Sequence, residues 1–368
     1  MRIVINTWNP IVADRPNRYD PVYGAISRLA EKHPLDQFVY IFDGPIDNEL
    51  ITGPNITGIS IRLPAFFRDN KLAAIVKTCN PHVLLNTGGI CIKRTAIPQI
   101  LFLHDLVFTA QPMLVPKNQA AYYKKYMPSF LEKAKIICSP SGFSQKKITD
   151  RYLVHSDKIR VIYPFAGKEF MPLDENSKRA VKEKYADGKE YYFFSGSIEP
   201  RNDLISLLKA FSQFKKRQKT NMLLLIVAKN GSGLEEFTGK LKSFKFRDEV
   251  KIFDYLSLKE IALITAAAYG FVYPSLYEDK ALPLLEAMQC WVPLITNNAG
   301  AIPEICGDAA LYTRTADIKD LAEKMMQLFK DENLQKNLVR NGQLRITGFN
   351  SNYYEELLWQ SILNCASC

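Results

Sequence analysis

Short apolar runs alternate with amphipathic stretches along this chain, and the alternation runs through twice. Strands and helices that take turns are typical of a parallel sheet whose helices cover both faces. The first half has predicted strands at 2–7, 38–42, 58–63, 83–86, 99–104, 136–139 and 159–163. The second half has predicted strands at 191–195, 222–228, 250–253, 270–273 and 293–296. The pattern therefore predicts an α/β fold with two doubly wound domains.

The two halves meet at 166–188, a charged stretch with few apolar residues, which we interpret as a linker. The predicted domains are then 1–165 and 189–368, with the last helix a candidate to return to the N-terminal domain. In open parallel sheets, ligands bind beyond the carboxyl ends of the strands. Two such domains facing one another would bind a ligand in the cleft between them.

The amino-acid composition is that of a folded globular protein. Of the 368 residues, 47% are hydrophobic and 23% are charged, which excludes disordered and fibrous proteins. No window is typical of a membrane-spanning segment or a signal peptide, so we expect a cytoplasmic location. The seven cysteines predict reduced thiols, and the Cys365-x-x-Cys368 pair is best interpreted as a frayed tail.

Positive charge is concentrated in the first half. Residues 1–165 carry 21 basic and 12 acidic side chains, whereas 166–368 carry 27 and 26. A basic half predicts an anionic partner: phospholipid headgroups, a phosphorylated acceptor or nucleic acid.

Two basic and aromatic patches lie in this half. The first patch interleaves Lys117, Lys124, Lys125, Lys133 and Lys135 with Tyr122, Tyr123 and Tyr126. The second contains Arg62, Phe66, Phe67 and Arg68. An anionic membrane surface and a solvated helix with its tyrosines in the core explain the first patch equally well.

The stretch 273–288 leaves a strand, crosses a loop that bears Glu278, and opens a helix near Leu282 and Pro283. Proline is favoured in the first helical turn, and the free amides of a helix N-terminus bind phosphate. Glu286, one turn further, would reach a ribose or sugar hydroxyl beside that phosphate. By spacing alone, an ordinary loop acid and an ordinary exposed helix residue would be the better interpretation.

The stretch 193–204 is a strand that ends at Gly196 and re-enters a helix capped by Asn202 or Asp203. Gly196 lets the backbone approach a ligand closely, and Arg201 offers a planar fork to a diphosphate. By itself, a capped helix with one solvated arginine would be the simpler interpretation.

Together and in this order, the two stretches resemble the retaining nucleotide-sugar glycosyltransferases of the GT-B fold, family four or group 1. The resemblance extends to 299–310, 103–106, 139–144 and 161–164, and it covers the chain from about residue 80. It is nearest to bacterial surface-polysaccharide enzymes, among them mannosyl and other hexosyl transferases. It implies two Rossmann-like domains facing across a cleft, the first binding the acceptor and the second the nucleotide sugar.

The resemblance also implies a site. Glu278 matches the first acid of the family's E-x7-E motif, near the donor sugar, and Glu286 matches the second, which binds the ribose. Arg201 matches the arginine that holds the donor diphosphate, and His104 matches an N-domain histidine over the sugar. The expected catalytic residues are thus His104 and Glu278. The expected donor-binding residues are Gly196, Ser197, Arg201, Asn202, Lys280, Ala281, Leu282 and Glu286. No metal ligand is expected, and no cofactor besides the nucleoside diphosphate sugar that serves as donor substrate.

Three places depart from the family pattern. Asn202-Asp203 stands where Lys-Asn is usual, Asp279-Lys280-Ala281 where Gly-Phe-Gly is usual, and Trp8-Asn9-Pro10 where a glycine-rich turn is frequent. The missing lysine removes one cation from the diphosphate, and Lys280 is the expected substitute. We therefore expect Lys280→Ala to weaken donor binding by about 1–3 kcal/mol and Asn202→Lys to recover part of it.

The leading hypothesis is a metal-independent retaining transferase. It would move a hexose, with mannose as the first guess, from a nucleoside diphosphate sugar to a growing surface-polysaccharide or lipid-linked glycan. The expected partners are the nucleotide sugar, the glycan acceptor and an anionic membrane surface on the cytoplasmic side, with no nucleic acid. The alternative is a catalytically impaired GT-B subunit or regulator of another transferase. A nucleotide-sugar 2-epimerase on the same plan is disfavoured by the Glu278 to Glu286 block.

Overall fold

The computed structural model describes residues 1–8, 20–62, 68–254 and 256–367. The chain divides into two compact units. The first unit contains Met1–Ala110, Lys117–Pro164 and Ser351–Cys368, and the second contains Gln111–Pro116 and Phe165–Asn350.

The first unit is built on a parallel sheet with the spatial order β3-β2-β1-β4-β5-β6-β7. Its strands are β1 (Arg2–Asn6), β2 (Gln37–Asp43), β3 (Ile56–Ile61), β4 (Val83–Asn86), β5 (Gln99–Phe102), β6 (Ile136–Ser139) and β7 (Ile159–Val161). Its helices are α1 (Pro21–Lys32), α2 (Arg68–Cys79), α3 (Val107–Ala110), α4 (Lys117–Lys133), α5 (Gly142–Tyr152) and α14 (Ser351–Ala366). Strands β4, β5 and β6 are buried at every residue, as expected for a sheet covered on both faces.

The second unit repeats this plan with the order β10-β9-β8-β11-β12-β13, again parallel. Its strands are β8 (Tyr191–Ser197), β9 (Leu223–Lys229), β10 (Val250–Phe253), β11 (Gly270–Tyr273), β12 (Leu294–Asn297) and β13 (Ala310–Thr313). Its helices are α6 (Glu175–Ala186), α7 (Leu204–Gln218), α8 (Leu234–Lys242), α9 (Leu258–Ala266), α10 (Leu282–Gln289), α11 (Ile302–Cys306), α12 (Ile318–Lys330) and α13 (Glu332–Ile346). The predicted α/β fold with two doubly wound sheets is confirmed.

Each sheet has a point at which the strand order reverses. In the first unit this point lies between β1 and β4, and in the second between β8 and β11. Loops that leave the carboxyl ends of such strand pairs diverge and open a crevice in which ligands bind. The order of the strands thus marks one ligand-binding edge in each unit.

The last helix, α14, is fastened to α1. Glu355 on α14 is buried and pairs with Arg28 and with Lys32, whose Nζ lies 2.7 Å from Oε2. The His33 ring stacks on Trp359 with 3.7 Å between the ring centroids. Residues 351–366 therefore belong with the first unit.

The stretch predicted as a linker, 166–188, contains α6 and groups with the second unit. Asp174 caps this helix by accepting from the Ser177 amide at 2.9 Å, and Val181 and Tyr185 are buried. A helix that buries one narrow face needs few apolar residues, which is why the sequence pattern did not predict it. Also not predicted were β13 and α13, and the sequence indicated α11 only through the family resemblance at 299–310.

No helix among the described residues is long and apolar enough to cross a bilayer. The six cysteines in the described part of the chain are buried and form no disulfide.

Candidate functional site

The candidate residues of the second unit meet at the carboxyl ends of β8 and β11. The loop after β8 carries Arg201, and the loop after β11 carries Glu278. The two loops are joined, because the Leu276 amide donates to the Arg201 carbonyl at 2.7 Å. Asn297 of β12 braces the second loop by donating to the Pro274 carbonyl at 2.8 Å. Both sequence stretches thus lie at the point where the strand order reverses.

Glu278 is held in a fixed position at this edge. Its side chain is buried, the Tyr273 hydroxyl donates to Oε1 at 2.7 Å, and Ser275 Oγ lies 3.3 Å from the same oxygen. The Ala301 amide donates to the Glu278 carbonyl at 2.7 Å. Gly300 has a φ of +62°, and a Cβ at this position would collide with the Glu278 carbonyl oxygen. Only glycine fits here, so the turn at 299–301 fixes the Glu278 backbone.

Glu286 lies one turn into α10 and is half-buried. Among the residues that the structure describes, none donates a hydrogen bond to its carboxylate or forms an ion pair with it. Burial raises the pKa of this carboxyl to about 8, against the opposing effect of the Lys280 cation. A carboxyl that lies at a ligand-binding edge and receives no hydrogen bond from the protein is suited to accept hydrogen bonds from the hydroxyls of a ligand.

The N-terminus of α10 offers fewer amides than the sequence suggested. Pro283 has no N–H, and the Leu284 amide donates to the Ala281 carbonyl at 3.1 Å. The Leu282 amide is left as the first-turn donor. Ala281 precedes it with a φ of +44°, the left-handed conformation that glycine would adopt without strain at this place.

Arg201 and Asn202 differ in how they face the site. The Arg201 Nε pairs with Glu199 Oε2 at 3.0 Å, and both side chains are partly exposed. Asn202 is buried, and its Nδ2 donates to the Ser197 carbonyl at 2.8 Å. The Asn202 amide nitrogen is thus turned back onto Ser197. That Asn202→Lys recovers part of the donor binding stays a prediction.

His104 lies in the first unit, just beyond the carboxyl end of β5. Its Nε2 lies 2.7 Å from the Thr87 carbonyl oxygen, and its Nδ1 lies 3.4 Å from Asp20 Oδ2. Thr87 follows β4, and Asp20 caps α1. The predicted histidine is thus placed at the ligand-binding edge of its own sheet.

Comparison with known proteins shows which family part of the chain resembles. Residues 175–345 match the family described as Glycosyl transferases group 1. This segment lies in the second unit and carries Arg201, Glu278 and Glu286.

Two curated relatives of the chain are bacterial. It is 26% identical over 240 residues to O-antigen chain mannosyltransferase B of Escherichia coli, which covers 65% of this chain and 63% of the relative. It is 25% identical over 249 residues to O-antigen chain mannosyltransferase RfbU of Salmonella typhimurium, which covers 65% of each chain. The match thus spans slightly less than two thirds of either relative.

Solved structures share the fold of the whole chain. Anabaena Alr3699/HepE in complex with UDP-glucose has a TM-score of 0.79 and 14% identity, covering 99% of this chain and 100% of that one. WaaG, a glycosyltransferase involved in lipopolysaccharide biosynthesis, has a TM-score of 0.77 and 13% identity, covering 98% and 99%. The two Rossmann-like units therefore form a GT-B fold.

Several residues that support the candidate site were not predicted from the sequence. Glu199 pairs with Arg201, and Gly231 lies where a Cβ would be 2.7 Å from the Ile198 carbonyl. Asp20 and Thr87 contact His104. A glycine directly after a strand, as at Gly231, was the available signal for close backbone approach; Asp20 and Thr87 carried none.

The first basic patch is only partly exposed. Lys124 and Lys125 are exposed, and Lys93 Nζ lies 4.3 Å from the centre of the Tyr126 ring. Tyr123 is buried and stacks on Phe108 at 4.1 Å. Lys135 Nζ donates to the Cys365 carbonyl at 3.1 Å. Of the second patch, Phe66, Phe67 and the Arg68 side chain lie outside the described residues, as do Asn9 and Pro10.

Within the described part of the chain, no three or more His, Cys, Asp or Glu side chains are arranged to hold a metal ion.

Proposed function

We propose that this chain is a retaining, metal-independent hexosyltransferase that uses a nucleoside diphosphate sugar. The observation that carries the proposal is the Glu286 carboxyl. It is half-buried at the ligand-binding edge of the second sheet, and no described residue donates a hydrogen bond to it or forms an ion pair with it. The hydroxyls of a ribose would donate the hydrogen bonds that this carboxyl does not receive from the protein.

The neighbouring groups suit the rest of a donor. The Arg201 guanidinium and the Lys280 ammonium supply positive charge for the diphosphate, and the Leu282 amide supplies a helix N-terminal donor. Groups that are held in place before the reaction stabilise the charge that develops on the leaving diphosphate at little cost of reorganisation, and the Arg201 side chain is held by its pairing with Glu199. Glu278, held by two hydroxyls, is proposed to bind the donor sugar, and His104 to act at the reacting centre.

The acceptor class is proposed from the relatives. Two of them are named as O-antigen chain mannosyltransferases, which supports a growing surface polysaccharide or lipid-linked glycan as acceptor and mannose as the sugar. A lipid-linked acceptor would bring the enzyme to the inner face of the membrane as a peripheral protein.

A turnover assay tests the proposal. The purified chain is incubated with GDP-mannose, UDP-glucose and other nucleoside diphosphate sugars, with and without a lipid-linked oligosaccharide. Release of nucleoside diphosphate together with an α-linked product from an α-linked donor, followed by NMR, supports retaining transfer. Free epimerised sugar would point to a 2-epimerase. Nucleotide binding without turnover of any donor would favour the impaired subunit, for which the inward Asn202 is the structural argument.

Lys280 has a separate prediction. We expect Lys280→Ala to weaken binding of the cognate nucleoside diphosphate by about 1–3 kcal/mol, as for a lost charge-assisted hydrogen bond. Calorimetry measures this, with Lys259→Ala on the exposed face of α9 as the control that should not change affinity. Equal affinity in Lys280→Ala and the unmodified chain would contradict the assignment.

A further inference from the structure

A histidine and a carboxylate are paired at the ligand-binding edge of the first sheet. His104 Nε2 lies 2.7 Å from the Thr87 carbonyl oxygen, and Nδ1 lies 3.4 Å from Asp20 Oδ2. A carbonyl oxygen can only accept, so Nε2 carries a proton. A neutral ring would then turn the lone pair of Nδ1 towards a carboxylate, whereas a doubly protonated ring turns an N–H towards it.

Both partners of His104 are fixed by the fold. Asp20 Oδ1 accepts from the Val22 amide at 3.2 Å, so this carboxylate caps α1 where the helix dipole favours its ionised form. The Thr87 amide donates to the Asn6 carbonyl at 3.1 Å, and its hydroxyl lies 3.0 Å from the Tyr23 hydroxyl. The positions of Oδ2 and of the Thr87 carbonyl are therefore set without His104.

The pair is partly withdrawn from water. The Asp20 side chain is 11% exposed and the His104 side chain 31%. Solvent screening is weaker here than at a surface ion pair, so the carboxylate acts on the ring more strongly.

The titratable groups near the pair lie on several elements. Tyr23 on α1 and Tyr354 on α14 have pKa values raised mainly by burial and further by the negative charge of Asp20, so both are neutral phenols at neutral pH. Asp105 follows His104 and accepts from the Val107 amide at 2.7 Å. Among the residues that the structure describes, Asp20 is the carboxylate within 4 Å of the ring.

We propose that Asp20 is a positioning residue that holds His104 doubly protonated. His104 then enters the proposed transfer reaction as a fixed positive charge and not as a general base. The role of His104 in the reaction, the catalytic half of the proposal, rests on the proposed function. The protonation state of His104, the protonation half, does not.

The protonation half is tested by NMR on the full chain labelled with ¹⁵N-histidine. The chain has four histidines, and His104→Gln identifies the ring signal of His104. In Asp20→Asn and in Asp20→Ser, which keeps a helix-capping side chain, the titration midpoint of His104 should fall by about one pH unit or more.

The chain supplies a matched control. Asp157 is at least 80% exposed and lies beside His155, at 3.2 Å from Oδ2 to Nδ1. Asp157→Asn removes the same charge as Asp20→Asn but away from the pair of Asp20 and His104, so it should leave the His104 midpoint unchanged. An unchanged His104 midpoint in both Asp20 variants would overturn the proposal.

The catalytic half is tested by the pH profile of donor turnover. A fixed cation predicts that kcat falls as pH rises through the His104 titration, and that this limb moves to lower pH in Asp20→Asn. A kcat that rises with pH over the same range would mean a general base and would overturn this half. If the unmodified chain turns over no nucleotide sugar, the proposed function fails, and the NMR result still decides the state of His104.

Discussion

At the scale of single residues, the Glu286 carboxyl is half-buried and also lies at a ligand-binding edge. Its pKa is raised to about 8, so the carboxyl is protonated in the ligand-free protein at neutral pH. Hydroxyls that donate to it favour the ionised form. A ligand with ribose hydroxyls therefore has to displace a proton.

We expect nucleoside diphosphate binding at pH 7 to release about 0.9 proton, because a carboxyl with a pKa near 8 is roughly nine-tenths protonated there. The release should vanish above about pH 9, where Glu286 is already ionised. Calorimetry in buffers of different ionisation enthalpy measures it. Glu286→Gln should bind more weakly and release no proton, and the exposed Glu323→Gln should behave as the unmodified chain. Proton uptake, or equal release in Glu286→Gln, would contradict the ribose assignment.

Tyr40 on β2 shows the cost of a buried hydroxyl. The residue is fully buried, and its hydroxyl has no hydrogen-bond partner among the described residues. We expect Tyr40→Phe to raise the free energy of unfolding by about 1 kcal/mol. Tyr192→Phe is the matched contrast, because the Tyr192 hydroxyl donates to the Met325 carbonyl at 2.6 Å. This variant should lower the free energy of unfolding by about 1 kcal/mol. Urea denaturation compares the two, and a loss of stability in Tyr40→Phe would show that its hydroxyl has a partner in solution.

The sequence pattern carries more information about the two glutamates than about Asn202. Glu278 and Glu286 were predicted on either side of one pocket because the loop and the helix that carry them follow the same strand, β11. The inward turn of Asn202 was not predictable, because it depends on the Ser197 carbonyl, which becomes its neighbour only once the loop has folded.

At the scale of elements, the short turn between β12 and α11 supports the candidate site. It carries no predicted site residue, yet Gly300 and Ala301 fix the backbone of Glu278. The sequence suggested this segment only through the resemblance at 299–310. The apolar pattern itself predicted neither α11 nor β13, because five and four residues show no usable periodicity.

We expect Gly300→Ala to lower the free energy of unfolding by about 1–3 kcal/mol, because it adds a clash in a left-handed conformation. Donor turnover should fall more steeply than stability, since Glu278 must move. Gly239→Ala is the control, because a Cβ there meets nothing within 4 Å and helix α8 gains about 0.5–1 kcal/mol. Thermal unfolding and the turnover assay together measure both effects; full activity in Gly300→Ala would show that the turn does not position Glu278.

At the scale of the whole molecule, the excess of positive charge in residues 1–165 remains the argument for an anionic partner. Lys117, Lys124 and Lys125 are exposed on α4, whereas Tyr123 is part of the core. The structure thus supports the cationic part of the predicted membrane surface more than its aromatic part.

We expect the chain to float with vesicles that contain phosphatidylglycerol and to be released by high salt. The double variant Lys124→Glu, Lys125→Glu should weaken this binding about 10-fold or more, at about 1 kcal/mol for each lysine. Lys216→Glu with Lys240→Glu, both exposed in the second unit, is the matched control and should change it little. Equal binding to neutral phosphatidylcholine vesicles would contradict an electrostatic surface.

The return of α14 to the first unit has a consequence for biosynthesis. A ribosome that has made residues 1–164 has not yet supplied Glu355, which pairs with Arg28 and Lys32. At about 5–20 residues per second, the first sheet waits on the order of 10–40 s for that helix. In that interval α1 keeps two cations without their carboxylate, and the surface that α14 covers is open to chaperones. The second unit, made in between, can finish folding before the first.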